Sequence, residues 1–122
     1  MDDPLKILLI EDDFEIGKWT KSKLVSFLKV KSLDWATNLS DAFVFLNKET
    51  PDLLVLDLKL PDGSGMEILK KIKEENLPIQ VFVFSINAGL KQTCLRMGAN
   101  AFIDKSQESE KLLSIISENL GE

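Results

Sequence analysis

Short apolar runs alternate with helical stripes along this chain of 122 residues. The runs are Leu5 to Ile10, Val30 to Trp35, Leu53 to Leu56, Ile79 to Phe84 and Ala101 to Ile103. Several are nearly continuous in Leu, Phe or β-branched residues, as in strands buried on both faces. Between them, Leu39, Ala42, Phe43 and Leu46 fall on one helical stripe, and Met66, Leu69 and Ile72 on a second. Ser64-Gly65-Met66-Glu67 fits a capping box at the start of that second helix. Leu90, Cys94 and Met97 mark a further helix, with Gly98 as its C-cap. Leu112, Leu113, Ile116 and Leu120 mark the last, with Ser106 as N-cap and Gly121 at its end. The pattern predicts five successive βα units in one doubly wound α/β domain over residues 1–122. Its sheet would be parallel, five-stranded and covered by helices on both faces. In such a sheet, ligands bind beyond the carboxyl ends of the strands.

Composition narrows the chemistry. The chain has no histidine and one cysteine, Cys94. That excludes histidine acid–base catalysis, His- or Cys-rich zinc sites, a phosphohistidine on this chain and an internal disulfide. Twenty acidic against fifteen basic residues give a net charge of −5, which argues against direct nucleic-acid binding. The longest apolar runs are too short to span a bilayer. Met1-Asp2-Asp3-Pro4 lacks the basic opening of a signal peptide, so a cytoplasmic protein with no membrane contact is expected. Cys94 lies on an apolar stripe and reads as core, and Trp19 and Trp35 read as packing residues. Lys70-Lys71-Ile72-Lys73-Glu74-Glu75 reads as a solvated helix face with Lys–Glu pairs.

The strand ends carry the candidate chemistry. The first run ends in Glu11-Asp12-Asp13, the third in Asp57, the fourth in Ser85, and Asp104-Lys105 follows the fifth. Two carboxylates about 5 Å apart repel by roughly 3 kcal/mol at an effective dielectric of about 20. Convergence of Glu11, Asp12 and Asp57 therefore calls for a shared cation, and all-oxygen ligation with few protein groups suits Mg²⁺. Lys105 can serve as a point charge toward a phosphate or carboxylate. With a divalent ion, these four side chains sum to zero formal charge, and a phosphoryl group on Asp57 moves the sum to about −1.

These residues sit in segments that resemble the response-regulator receiver domain over essentially the whole chain. The segments are Ile7 to Asp13, Leu54 to Leu58, Leu60 to Glu67, Val83 to Ser85 and Gly98 to Lys105. The resemblance implies a flavodoxin-like strand order 2-1-3-4-5. It makes Asp57 the acceptor of phosphate from a sensor histidine kinase or phosphotransfer protein, with Mg²⁺ as cofactor. Asp12 would bind the metal directly, Glu11 through water, and the Lys59 backbone carbonyl would be a further ligand, leaving Asp13 outside. Ser85 and Lys105 would each contact a phosphoryl oxygen. Phe102 would be the aromatic switch that follows Ser85, and the output would pass to a downstream protein or output domain. Phosphorylation and dephosphorylation at Asp57 alone would not make the chain a conventional enzyme.

The chain also departs from the family pattern. Ile86 follows Ser85 where the family commonly has a small residue, and would restrict access to the phosphoryl group. Lys59 and Asn87 stand where the family tunes dephosphorylation. The stretch from Ser85 to Lys105 is slightly short. Ser106 follows Lys105 where proline is common, and a cis bond there would cost about 2.5–4 kcal/mol, so a trans peptide is expected. Two other classes compete: a pseudo-receiver that docks to a partner without phosphorylation, and a metal-dependent hydrolase. The complete acid set with Lys105 weighs against the first, and the lack of a separate acid–base residue against the second. A cofactor-binding flavodoxin-like domain is disfavoured because Glu11, Asp12 and Asp13 would repel a cofactor phosphate.

Overall fold

The computed structural model describes residues 3–121; Met1 and Asp2, part of the segment weighed as a signal peptide, lie outside it. Five parallel strands form the sheet: β1 Leu5–Ile10, β2 Val30–Ala36, β3 Leu53–Leu56, β4 Gln80–Ser85 and β5 Ala101–Asp104. Their order is β2-β1-β3-β4-β5, the predicted doubly wound arrangement. The connecting helices are α1 Phe14–Phe27, α2 Leu39–Lys48, α3 Met66–Glu74, α4 Lys91–Arg96 and α5 Leu112–Asn119.

Alternation along the strands divides the core into two layers. Leu8, Ile10, Leu54, Leu56, Val81, Val83 and Phe102 pack with residues of α2, α3 and α4, including Leu46, Leu69 and Cys94. Ile7, Leu9, Leu53, Val55, Phe82, Phe84 and Ile103 pack with Leu24 of α1 and with Leu112 and Ile116 of α5. Edge strand β2 differs: Lys31, Ser32 and Asp34 are exposed, because a strand with one neighbour is only partly covered by the helices α1 and α2 on its two faces. Among the described residues, no helix is long and apolar enough to cross a membrane.

Local chemistry sets the helix ends. Asp13 caps α1 by accepting the Ile16 N–H at 2.9 Å, and Asn38 caps α2 by accepting the Asp41 N–H at 2.8 Å. Gly98 takes the left-handed conformation just past α4, with φ +99°. Lys71 and Glu75 pair at 2.7 Å on the charged face of α3. Two expected caps differ. Gly65, not Ser64, is the N-cap of α3, and the Ser64 hydroxyl accepts the Met66 N–H at 3.1 Å. A side chain at residue 65 would strike the Asp57 carbonyl, its Cβ falling 2.3 Å from that oxygen, so glycine allows α3 to start directly against the end of β3. Ser106 does not cap α5, which begins later, behind a 3₁₀ turn over Ser109–Lys111. Its hydroxyl and N–H instead donate to the Asp104 carboxylate at 2.6 and 2.9 Å, folding the loop back on β5. The Lys105–Ser106 peptide is trans.

Candidate functional site

Register brings the predicted residues together. Ile10 pairs with both Ala36 and Leu56, so β1, β2 and β3 end level. The Glu11 N–H then donates to the Ala36 carbonyl at 3.0 Å and the Asp57 N–H to the Ile10 carbonyl at 3.0 Å. Glu11 and Asp57 thus leave adjacent strand ends side by side. On the far side, Ser85 pairs with Asp104, and the Lys105 N–H donates to the Ser85 carbonyl at 3.0 Å. Lys105 is therefore carried over the sheet edge toward the acids.

Its ammonium lies 2.6 Å from Glu11 Oε1 and 3.1 Å from Asp57 Oδ2. Lys105 thus acts as a point charge toward carboxylates, and the shorter of its two contacts is with Glu11 rather than Asp57. Glu11 is 2% exposed and Asp57 6%, while Asp12 is open to solvent. The second Glu11 oxygen accepts the Asp13 N–H at 3.1 Å. Burial pushes the Glu11 carboxyl up to about 7, with Lys105 holding it back and the Asp57 charge adding to the rise. Asp13, which the resemblance leaves outside the metal set, accepts the Ile16 N–H and caps α1.

A short hairpin pairs Lys59–Leu60 with Gly63–Ser64 and carries Lys59 beside the acids. It is tied to α2 by Asp62, whose carboxylate accepts the Leu39 and Ser40 N–H groups at 2.7 and 2.9 Å. Those bonds hold the Asp62 carboxyl below its ordinary value. On the other side of the edge, the buried Ser85 hydroxyl accepts the Asn87 N–H at 3.1 Å. Ser85, Ile86 and Asn87 line a cavity of about 530 Å³ together with Lys59 and Leu90. Ile86, 67% exposed, also borders the smaller cavity above Glu11, Asp12 and Asp57. Phe102 is 5% exposed and already lies in the core layer beneath α4.

The response regulator receiver domain model matches residues 7–117. The chain belongs to that family. Among curated proteins, the protein-glutamate methylesterase/protein-glutamine glutaminase of Treponema denticola is 37% identical over 119 residues. That match covers 93% of this chain and 32% of the relative. The nitrate/nitrite response regulator NarL of Escherichia coli is 29% identical over 93% of this chain and 54% of its own length. This receiver domain thus spans about a third of the first relative and about half of the second. A BeF3-activated DrrB receiver domain superposes with a TM-score of 0.78 at 27% identity, covering 98% of this chain and 100% of that one.

The acidic site of this receiver domain fits a divalent cation. Glu11, Asp12 and Asp57 each offer a carboxylate oxygen, all within 4.8 Å of one another, and the Lys105 ammonium offsets only one of the three charges. An all-oxygen set with an open, solvated side is what a hard cation retaining several waters requires. Two contributors, Asp62 and Trp35, were not read as parts of the site, and Asn87 was read only as tuning dephosphorylation. Asp62 anchors the hairpin, the Asn87 N–H holds Ser85, and Trp35 donates its indole N–H to the Glu11 carbonyl at 2.9 Å. Only Asp62 carried a local signal, a carboxylate in a Pro-Asp-Gly turn of the kind that bonds backbone N–H groups.

Proposed function

We propose that this receiver domain accepts a phosphoryl group on Asp57 from the phosphohistidine of a sensor histidine kinase or phosphotransfer protein and thereby switches an output surface. The observation that carries this reading is the buried Asp57 carboxylate, held 3.1 Å from Lys105 with Glu11 and Asp12 converging beside it. An Asp57 carboxylate oxygen attacks phosphorus; the new P–O bond forms as the P–N bond breaks, and its electron pair returns to the imidazole. Attack of water on the aspartyl phosphate releases inorganic phosphate and restores the carboxylate, so the chain acts on itself rather than turning over a separate substrate. Mg²⁺, held by Asp12, Asp57 and the Lys59 carbonyl with Glu11 acting through water, would supply positive charge against the transferring group. Lys105 follows the new charge, leaving the carboxylate for a phosphoryl oxygen. Ser85 accepts the Asn87 N–H and keeps its own proton to donate to another.

Drawing Ser85 toward the phosphoryl group moves the loop that carries Ile86 and Asn87, and Phe102 follows on the neighbouring strand. The output passes by protein contact, with no nucleic acid or membrane bound by this domain. Residues 1–122 form one receiver domain of a cytoplasmic protein, acting alone or within a longer regulator. Incubation with acetyl phosphate and Mg²⁺, read by intact mass, tests the assignment. The unmodified chain is expected to gain one phosphoryl group and Asp57→Ala none. Equal labelling of both overturns the phosphosite, and labelling of neither favours the docking module.

A further inference from the structure

We propose that Trp35 is a positioning residue of the acidic site, fixing the loop from β1 into α1 so that Glu11 and Asp12 meet Asp57. The proposal rests on the receiver reading and extends it to a residue outside the acid set. Trp35 lies on the edge strand β2, yet its side chain turns inward with Leu33 against the layer formed by α1 and α5. Its indole N–H donates to the Glu11 carbonyl at 2.9 Å. The next residue, Ala36, accepts the Glu11 N–H at 3.0 Å. Both backbone polar groups of Glu11 are therefore held by consecutive residues of one strand. Its carboxylate is held by Lys105 and the Asp13 N–H.

The helix below is shaped to receive this ring. A Cβ at Gly17 would lie 2.0 Å from Trp35 Cζ2 and 2.5 Å from Cε2, so any side chain there displaces the indole. Glycine weakens a helix interior, and here its bare surface is the seat of the ring. Phe14 closes the other side, its ring stacked on Trp35 with centroids 5.8 Å apart and planes 23° apart. Trp35 is thus clamped between the first turns of α1 and the Glu11 carbonyl. The only residues between those two anchors are Asp12 and Asp13, so the clamp sets where the Asp12 carboxylate stands.

Titration calorimetry of Mg²⁺ into the intact chain, with two variants, tests the clamp. Trp35→Phe retains a ring over Gly17 and deletes the N–H; Gly17→Ala retains the N–H and drives the ring off. Both are expected to weaken Mg²⁺ binding about tenfold, the lower range for loss of a group that orients a metal ligand. Both are also expected to speed hydrogen exchange at the Asp13 amide, which donates to Glu11. At saturating Mg²⁺, labelling of Asp57 by acetyl phosphate should return to the unmodified rate, because Asp57, Lys105 and Ser85 are untouched. Unchanged affinity and exchange in Trp35→Phe overturn the proposal and leave the receiver function standing. Weakening in Gly17→Ala alone overturns the hydrogen-bond role. An unmodified chain that binds no Mg²⁺ overturns both the clamp and the receiver reading.

Discussion

The two halves of the carboxyl edge are built differently. On the acid side, Glu11 has all its polar groups engaged, with Lys105 bridging it to Asp57. On the hydroxyl side, the Ser85 hydroxyl holds a single loop N–H, the flanking Ile86 is exposed, and a six-residue α4 follows a 3₁₀ turn over Ala88–Leu90. The acid side is preorganised and the hydroxyl side is loosely tied. A group transfer needs fixed charges where it occurs, whereas a signal needs a segment held weakly enough for one new charge to move it. Phe102 belongs to the rigid part in this state: its ring is already within the core, so any response to Ser85 starts from a buried ring.

The largest expected effect breaks the acid side. Lys105→Met leaves Glu11 and Asp57 buried without their cation, and should cost about 3–5 kcal/mol in urea denaturation without Mg²⁺. Labelling of Asp57 should remain possible while the hydrogen-exchange response of residues 86–97 is blunted. A variant as stable as the parent would show that the acids do not depend on the ammonium. Next is the metal response. Mg²⁺ at about a hundred times its dissociation constant should stabilise the folded chain by about 2.7 kcal/mol. Asp12→Ala should lose most of that gain, whereas Asp13→Ala should keep it after an initial loss of about 1 kcal/mol from the missing helix cap. The reverse order would place the metal pair one residue later.

A pH series sharpens the same contrast. The Glu11 carboxyl is raised from its ordinary 4.5 to about 7, so between those values the folded chain holds a proton that the unfolded chain has released. Metal-free stability should therefore fall as pH rises through this window, and the slope should vanish in Glu11→Gln. Asp62 and Asp104 are shifted downward and act only below about pH 4, outside the window. The smallest effect belongs to the hydroxyl side. Ser85→Ala removes the acceptor of the Asn87 N–H and should cost about 1 kcal/mol, with Mg²⁺ affinity unchanged. A matching drop in Mg²⁺ affinity would show that the two sides are one unit before any phosphoryl group arrives.

Much of this molecule follows from the sequence by itself. Continuous apolar runs separated by helical stripes permit one economical burial, a parallel sheet covered on both faces, and that places every strand end at one edge. Glu11, Asp12, Asp57, Ser85 and Lys105 therefore belong together before any coordinate is known. Tertiary structure alone decided how they meet. Lys105 reaches Glu11 more closely than Asp57, because the level ends of β1 and β3 set both acids within one ammonium's reach. Ser106 folds back on Asp104 instead of capping α5, since a nearby carboxylate competes successfully for its donors. Trp35 bonds the Glu11 carbonyl only because β2 lies beside β1 and Gly17 leaves room for the ring. Periodicity assigns a residue to a face or an end from its neighbours in sequence. Which distant groups then share a hydrogen bond depends on strand order, register and side-chain reach, which exist only once the chain has closed on itself.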